Sequence, residues 1–335
     1  MRKADYILAD KIISHQLYLS RFTAGEQKKI LKLLLAMQTE LKTKLLNEFT
    51  DYSKRRMLKL LNECTMVINE YYKEMQSKIN FAAVAETELQ ATQKVFAAIG
   101  VEAAIPTSAA MKALVSDVLI FGSPAAEWWA KQAADTAFRF ASQVRQGVAQ
   151  NETVAQIVTR IVGSKKYGTP GIMDISRRNA YALVHTSIQQ ISNDARTATF
   201  QENADIVEGM EQVSTLDSHT TAICMAYSGQ QWDLNGNPIK GSELPYNGGC
   251  PRHYNCRSVI VPLLIPLSKI AGVELPAKPE GTRASDLGQI KESTTFDAFL
   301  KRHSDEYLND MLGKGRADMY RAGKITLQDL VSGQG

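Results

Sequence analysis

Residues 26–49 read EQKKILKLLLAMQTELKTKLLNEF, and this stretch decides the fold class. Its apolar residues recur at spacings of three and four, the periodicity of one face of an α-helix. Thr23 and Glu26 have capping-box spacing, which predicts a helix start at Thr23. No proline occurs before Pro106, and this favours long uninterrupted helices. The apolar stripe consists of Ile30, Leu33, Leu34, Met37, Leu41, Leu45 and Phe49.

The helical pattern extends from about Asp5 to Gly100. A second helix is predicted over residues 53–79 and a third over 84–99, closed by Gly100. We expect residues 1–105 to form an N-terminal helical bundle or hairpin.

Composition and charge narrow the class of protein. The chain has 335 residues, 44% of them hydrophobic and 22% charged, which is typical of a soluble globular protein. A net charge of only +4 does not suggest a dedicated nucleic-acid-binding protein. No apolar run approaches the ~18 residues that span a bilayer, so no membrane association of the isolated chain is expected.

The first 80 residues carry most of the basic excess, with 15 Lys and Arg against 9 Asp and Glu. The cluster Lys54, Arg55, Arg56 and Lys59 is a candidate surface for nucleic acid or for an acidic protein. A solvated helix face is the alternative, and no aromatic ladder accompanies the basic residues.

The pattern changes towards the C-terminus. Helices are predicted up to Asp205, and strands follow at about 206–215 and 258–261. Residues 266–335 are expected to form an extended linker and short C-terminal helices. The predicted fold class is therefore mainly α with a small α+β C-terminal module, and 106–265 is the predicted middle domain.

Three of the four cysteines, Cys224, Cys250 and Cys256, lie close together in sequence, and residues 247–258 read NGGCPRHYNCRS. Four cysteines in a chain of this length make no disulfide framework, so a reducing compartment is expected. One interpretation is a zinc site, with Cys224, Cys250, His253 and Cys256 as the ligands. A second is a catalytic thiol, Cys250, with His253 or His219 as base and Asp217 orienting it.

The third interpretation is structural. The planar guanidinium of Arg257 can donate two parallel hydrogen bonds to Asp217. The polar residues beside this pair would complete a structural polar staple. The cysteines would pack as small buried groups, or two of them would form a disulfide once the protein leaves the reducing interior of the cell. Arg257 is expected to be more buried than Arg252, and its loss more damaging. The staple consists of Asp217, Thr220, Thr221, His253, Asn255 and Arg257.

The order of these pieces resembles the phage head morphogenesis family, the Mu F-like minor head proteins of tailed bacteriophages. That family has a D-x-x-T-x-x-x-C segment, a glycine-containing hairpin and a closing P-x-H-x-N-C-R-C block. The resemblance covers about residues 136–264, and Ser258 stands where the family has its last cysteine. The matching residues are Asp217, Thr220, Thr221, Cys224, Gly229, His253, Asn255, Cys256 and Arg257.

The resemblance implies a minor, non-enzymatic structural protein of the virion head. Such a protein would associate with the portal protein and other head proteins near the portal vertex or head interior. It would assist head assembly and the packaging or delivery of DNA, and it would occupy the host cytoplasm during assembly. The alternatives are a nucleic-acid-binding accessory protein acting through its basic N-terminal helices, and a Cys/His-dependent enzyme or toxin.

Overall fold

The computed structural model describes residues 3–48, 54–164, 168–266, 269 and 281–332. Helices dominate, and the predicted mainly α fold with a small α+β C-terminal module is confirmed. The helices are α1 Lys3–Glu48, α2 Lys54–Lys78, α3 Phe81–Ala97, α4 Ser108–Asp117, α5 Ala125–Ala149, α6 Val154–Val162, α7 Ile172–Glu202, α8 Ala222–Tyr227, α9 Phe296–Leu300, α10 Asp305–Leu312, α11 Lys314–Arg321 and α12 Asp329–Ser332.

The described strands form small antiparallel sheets, of which the three-stranded β6-β5-β7 sheet is the largest. The other three sheets are two-stranded hairpins, β1-β2, β3-β4 and β8-β9. The strands are β1 Leu119–Ile120, β2 Ser123–Pro124, β3 Gly163–Ser164, β4 Thr169–Pro170, β5 Val207–Val213, β6 Gln231–Trp232, β7 Val259–Leu264, β8 Thr282–Ser285 and β9 Gly288–Lys291.

Helix α1 begins at Lys3, which agrees with the helical pattern expected from about Asp5, but no separate helix starts at Thr23. Thr23 does not cap a helix; it is buried within the single helix α1. The prediction was wrong because the buried apolar line continues towards the N-terminus through Leu8, Ile12 and Leu19, so the helical face has no break at Thr23. The part of the stripe that is buried comprises Ile30, Leu34, Met37, Leu41 and Leu45, while Phe49 lies outside the described residues.

The chain divides into two compact units, each built from segments that are distant in sequence. The first contains residues 1–18, 82–116 and 189–335, and the second contains 19–81 and 117–188. The predicted boundaries at 105/106 and 265/266 do not coincide with this division, and as limits of independently folding domains they stay a prediction.

In the second unit, α2 packs against α5. Trp129 on α5 is 1% exposed, and its ring lies 6.1 Å from that of Tyr72 on α2. The Tyr72 hydroxyl lies 2.8 Å from the Thr136 hydroxyl, so this buried polar group has a partner.

In the first unit, residues of the β6-β5-β7 sheet share an apolar core with Phe96 of α3 and Phe200 of α7. The Asp5 carboxylate of α1 accepts a hydrogen bond of 2.9 Å from the backbone N–H of Leu264, at the end of β7. Among the described residues, no helix combines the length and apolar character needed to cross a membrane.

Residues 266–335 agree only in part with the predicted extended linker and short C-terminal helices. Residues 282–291 form the hairpin β8-β9 and not an extended linker, because Gly288 supplies the left-handed backbone conformation that the turn requires (φ +87°). The short C-terminal helices are present as α9 to α12. Residues 267–268 and 270–280 of the predicted linker lie outside the described residues.

Candidate functional site

The candidate site lies at one end of the β6-β5-β7 sheet. Val213 at the end of β5 pairs with Val259 at the start of antiparallel β7. This register brings the turn that follows β5 beside the loop that precedes β7, although they are some forty residues apart in sequence. Ser258 donates a 3.0 Å hydrogen bond to Ser214 at this junction.

An ion pair joins the turn to the loop. Arg257 donates two hydrogen bonds of 2.7 Å to the two carboxylate oxygens of Asp217. The amide of His219 and the hydroxyl of Thr220 also donate to Asp217, at 3.0 and 3.3 Å. Burial opposes ionisation, but these donors, Arg257 foremost, hold the pKa of Asp217 below its usual value.

The same turn and loop bring together a cysteine pair and a histidine. Cys224 of α8 has its Sγ 3.2 Å from His253 Nε2 and 3.6 Å from Cys256 Sγ. The ligand atoms of these three residues lie within 4.8 Å of one another. The ring of His253 is oriented by its Nδ1–H, which donates to the carbonyl of Tyr254 at 2.8 Å. In the neutral ring the Nε2 lone pair therefore faces the sulfurs, as in metal-ligating histidines.

The spacing of the three atoms suits a small metal ion. Tetrahedral zinc with Zn–S bonds of about 2.3 Å and Zn–N bonds of about 2.0 Å separates its ligand atoms by about 3.5–3.8 Å. A recess of about 10 Å³ is lined by Cys224 and His253, and also by His219, Asn255 and Ser258. That volume is about the smallest space that can hold one water molecule. The Cys224–His253–Cys256 group could thus hold a metal ion.

Hydrogen bonds and burial shift the thiol pKa values of the three cysteines in different directions. Cys224 and Cys250 donate to Cys256, and this lowers the pKa of the Cys256 thiol. The hydrogen bond to Cys256 raises the pKa of Cys224, and burial raises that of Cys250. The hydrogen bond to Cys256 raises the pKa of His253. A thiolate is therefore favoured at Cys256, and a thiolate is the form of cysteine that binds metal.

Three further predicted site residues lie outside the group of metal-ligand atoms. Cys250 is buried but lies outside the Cys224–His253–Cys256 group. Thr221 precedes α8 as its N-cap without a side-chain capping bond, and Asn255 takes a left-handed conformation (φ +60°). Within the described residues, no hydrogen bond or ion pair joins a histidine ring to the Asp217 carboxylate.

Arg252 is the site residue that sequence reasoning undervalued. Its guanidinium carbon lies 3.4 Å from the centre of the Tyr227 ring, and its Nε donates to the Gln212 side chain at 2.6 Å. Burial lowers its pKa, whereas Arg257 retains 40% side-chain exposure. The expectation that Arg257 is the more buried arginine was wrong, because the loop turns Arg252 inward onto the core aromatics and leaves Arg257 at the rim. The sequence offered one signal for this position: the aromatic residues around β6 provide rings on which an arginine can stack.

The basic cluster lies at the start of α2. Arg55, Arg56 and Lys59 are exposed, and Lys59 lies 3.8 Å from Glu63 on the next turn. Lys54 begins the helix, and its side chain lies outside the described residues.

Comparison of the chain with protein-family models, curated proteins and solved structures finds no match. The site must therefore be interpreted from its own geometry and chemistry.

Proposed function

We propose that this chain is a minor structural protein of a tailed-phage head, located near the portal vertex or in the head interior. It would bind the portal protein and other head proteins and assist head assembly and DNA packaging or delivery. One observation carries the proposal: residues that match the head-morphogenesis motif, although up to forty positions apart, meet at one end of the sheet. These residues are Asp217, Thr220, Cys224, His253, Cys256 and Arg257.

Zinc is the metal that this ligand set favours, because thiolate and imidazole are its usual structural ligands. Cys224, His253 and Cys256 would hold it. When bound, the ion supplies a cross-link between α8 and the loop before β7, in parallel with the Asp217–Arg257 pair. This role is structural and requires no reaction.

Mass spectrometry of purified particles tests the virion role. We expect the chain to be present in mature particles or in procapsids that contain the portal protein, and Cys250→Ser to be incorporated like the wild type. Cys224→Ser, which removes a ligand, is expected to lower incorporation. If portal-containing particles and procapsids both lack the wild-type chain, the proposal is wrong.

A second candidate function is nucleic-acid binding through α2, favoured by the exposure of Arg55, Arg56 and Lys59. Binding to phosphates releases counterions, so the affinity must fall steeply with salt. A gel shift of the full chain should weaken when Arg55 and Arg56 are both changed to Gln. Matched changes of Arg177 and Arg178, exposed on α7, should leave it unaltered. No shift at low salt, or equal effects of the two pairs, would refute this function.

A further inference from the structure

The Cys224–His253–Cys256 group supplies three ligands, one fewer than a structural zinc site usually has. Structural zinc is almost always held by four protein ligands in a tetrahedral arrangement. A site with three protein ligands keeps an open position for water, which suits catalysis. A purely structural zinc therefore requires a fourth side chain close to the three.

The recess beside Cys224 and His253 contains one further side chain of a type that commonly binds zinc, the imidazole of His219. The other residues that line the recess are Thr215, Thr220, Asn255, Arg257 and Ser258. The hydroxyl of Thr220 already donates to the carbonyl of Thr215 at 2.6 Å. Arg257 is a cation and has no lone pair to offer a metal.

The backbone of His219 is held in place, whereas its ring is free to turn. Its backbone N–H donates to the Asp217 carboxylate at 3.0 Å, and the N–H of Thr220 donates to the Asp217 carbonyl at 3.2 Å. His219 is exposed, and its ring forms no hydrogen bond or ion pair with any residue that the structure describes. The ring nitrogens lie outside the group of ligand atoms, so the side chain must rotate to join them. This rotation breaks no existing bond of the ring.

We propose that His219 turns into the recess when zinc binds and completes its coordination as the fourth ligand. The inference rests on the structural zinc of the proposed function. Asp217 is then a positioning residue for the metal, because its carboxylate holds both the backbone of His219 and the guanidinium of Arg257. With four protein ligands the ion has no open position, in agreement with a role that requires no reaction.

Zinc affinity of the full chain, measured by competition with a chromophoric chelator, tests the assignment. Loss of an outer partner of a metal ligand costs about 10–100-fold in affinity, so His219→Ala, which removes a direct ligand, should cost at least about tenfold. Ser218→Ala is the matched control, because Ser218 is the exposed neighbour on the same turn and does not line the recess. It should bind zinc like the wild type. Circular dichroism establishes that both variants are folded.

Two failures are distinguishable in this titration. Wild-type affinity in His219→Ala, with zinc still lost in Cys224→Ser, would overturn the role of His219 and leave the three-ligand zinc site intact. A wild-type chain that binds no zinc would refute the zinc site itself and the fourth ligand with it.

Cobalt substitution and added imidazole distinguish a ligand from a residue that merely supports the turn. In His219→Ala the vacated position should accept free imidazole, which should shift the visible bands of bound Co²⁺ and restore part of the zinc affinity. The wild type should not respond, because His219 fills that position. Identical cobalt spectra in the wild type and in His219→Ala, or an equal shift of both by imidazole, would overturn the proposal.

Discussion

The first unit contains two arginine–carboxylate pairs of almost equal length in opposite surroundings. Arg196 lies 2.6 Å from Glu88, with side chains 2% and 1% exposed. Arg257 lies 2.7 Å from Asp217, with side chains 40% and 18% exposed. Because the surroundings differ, we expect the two pairs to differ in energy although their contact distances are nearly equal. A deeply buried charge depends on its partner, whereas a pair at the rim is screened by water and mainly fixes geometry.

The buried pair belongs to a larger network. His15 of α1 contacts the second oxygen of Glu88 at 3.0 Å, and Arg196 of α7 also donates to the carbonyl of Ile260 on β7 at 3.4 Å. Burial alone would raise the pKa of Glu88, but Arg196 and His15 together hold it below its usual value. Four elements of the core are thereby joined around one carboxylate.

The largest expected effect is at Glu88. Glu88→Ala leaves the buried guanidinium of Arg196 without its counter-charge and should lower the free energy of unfolding by about 3–5 kcal/mol. Urea denaturation measures it. Glu86→Ala, an exposed position on the same helix, should change stability by less than about 0.5 kcal/mol. Similar losses of unfolding free energy in the two variants would contradict the claim that the buried Arg196 depends on Glu88.

Arg252 sharpens the comparison at the candidate site itself. Arg252→Ala removes the stacking on Tyr227 and the bond to Gln212 and should cost about 2–3 kcal/mol. Arg257→Ala should cost less than about 1 kcal/mol. Thermal unfolding of the two variants side by side decides the order. A lower melting temperature for Arg257→Ala would show that the exposed pair is the stronger support.

Asp194 is a half-buried carboxylate that has no arginine partner among the described residues and accepts a 2.9 Å hydrogen bond from Gln190. Burial raises its pKa to about 6, so the folded state binds a proton more tightly than the unfolded chain does. Stability therefore decreases as the pH rises from about 4 to about 6, and the penalty is complete above that range. Asp194→Asn should raise the free energy of unfolding by about 1–2 kcal/mol near pH 8 and leave it unchanged near pH 3.5. A loss of stability near pH 8 would mean that the carboxylate has a stabilising role.

The smallest effect is the coupling across the rim pair. A double-mutant cycle with Asp217→Asn and Arg257→Ala should give less than about 1 kcal/mol at neutral pH. Because the pKa of Asp217 is lowered in the folded protein, this contribution is present above the carboxyl's unfolded pKa of about 4 and is lost as the pH falls through its folded value. A coupling that persists when Asp217 is protonated would contradict an electrostatic origin.

The sequence predicted those features that depend on local periodicity or on a short motif. The helical stripe from Ile30 to Leu45 and the convergence of Asp217 with Arg257 are examples, because each is determined by spacing or by residue chemistry. The predicted helix start at Thr23 was wrong because a capping-box pattern also occurs inside a continuous helix. The Glu88–Arg196 pair could not be predicted, since its members are 108 positions apart and each is ordinary in its own helix.

Sequence spacing also failed to determine which side chains meet within the candidate site. Four zinc ligands were predicted from sequence, and Cys224, His253 and Cys256 are brought together while Cys250 lies outside their group. Side-chain direction in a loop depends on tertiary packing, which spacing alone does not specify. The inward turn of Arg252 has the same cause.

Metal analysis combined with a thiol count tests the central claim, that Cys224, His253 and Cys256 hold a metal ion that joins α8 to the loop before β7. We expect about one zinc per chain in protein purified without chelators, retained in Cys250→Ser and lost in Cys224→Ser. Removal of the metal should make two further thiols reactive and lower the melting temperature. Native protein without metal, whether its cysteines are free thiols or a Cys224–Cys256 disulfide, would contradict the claim.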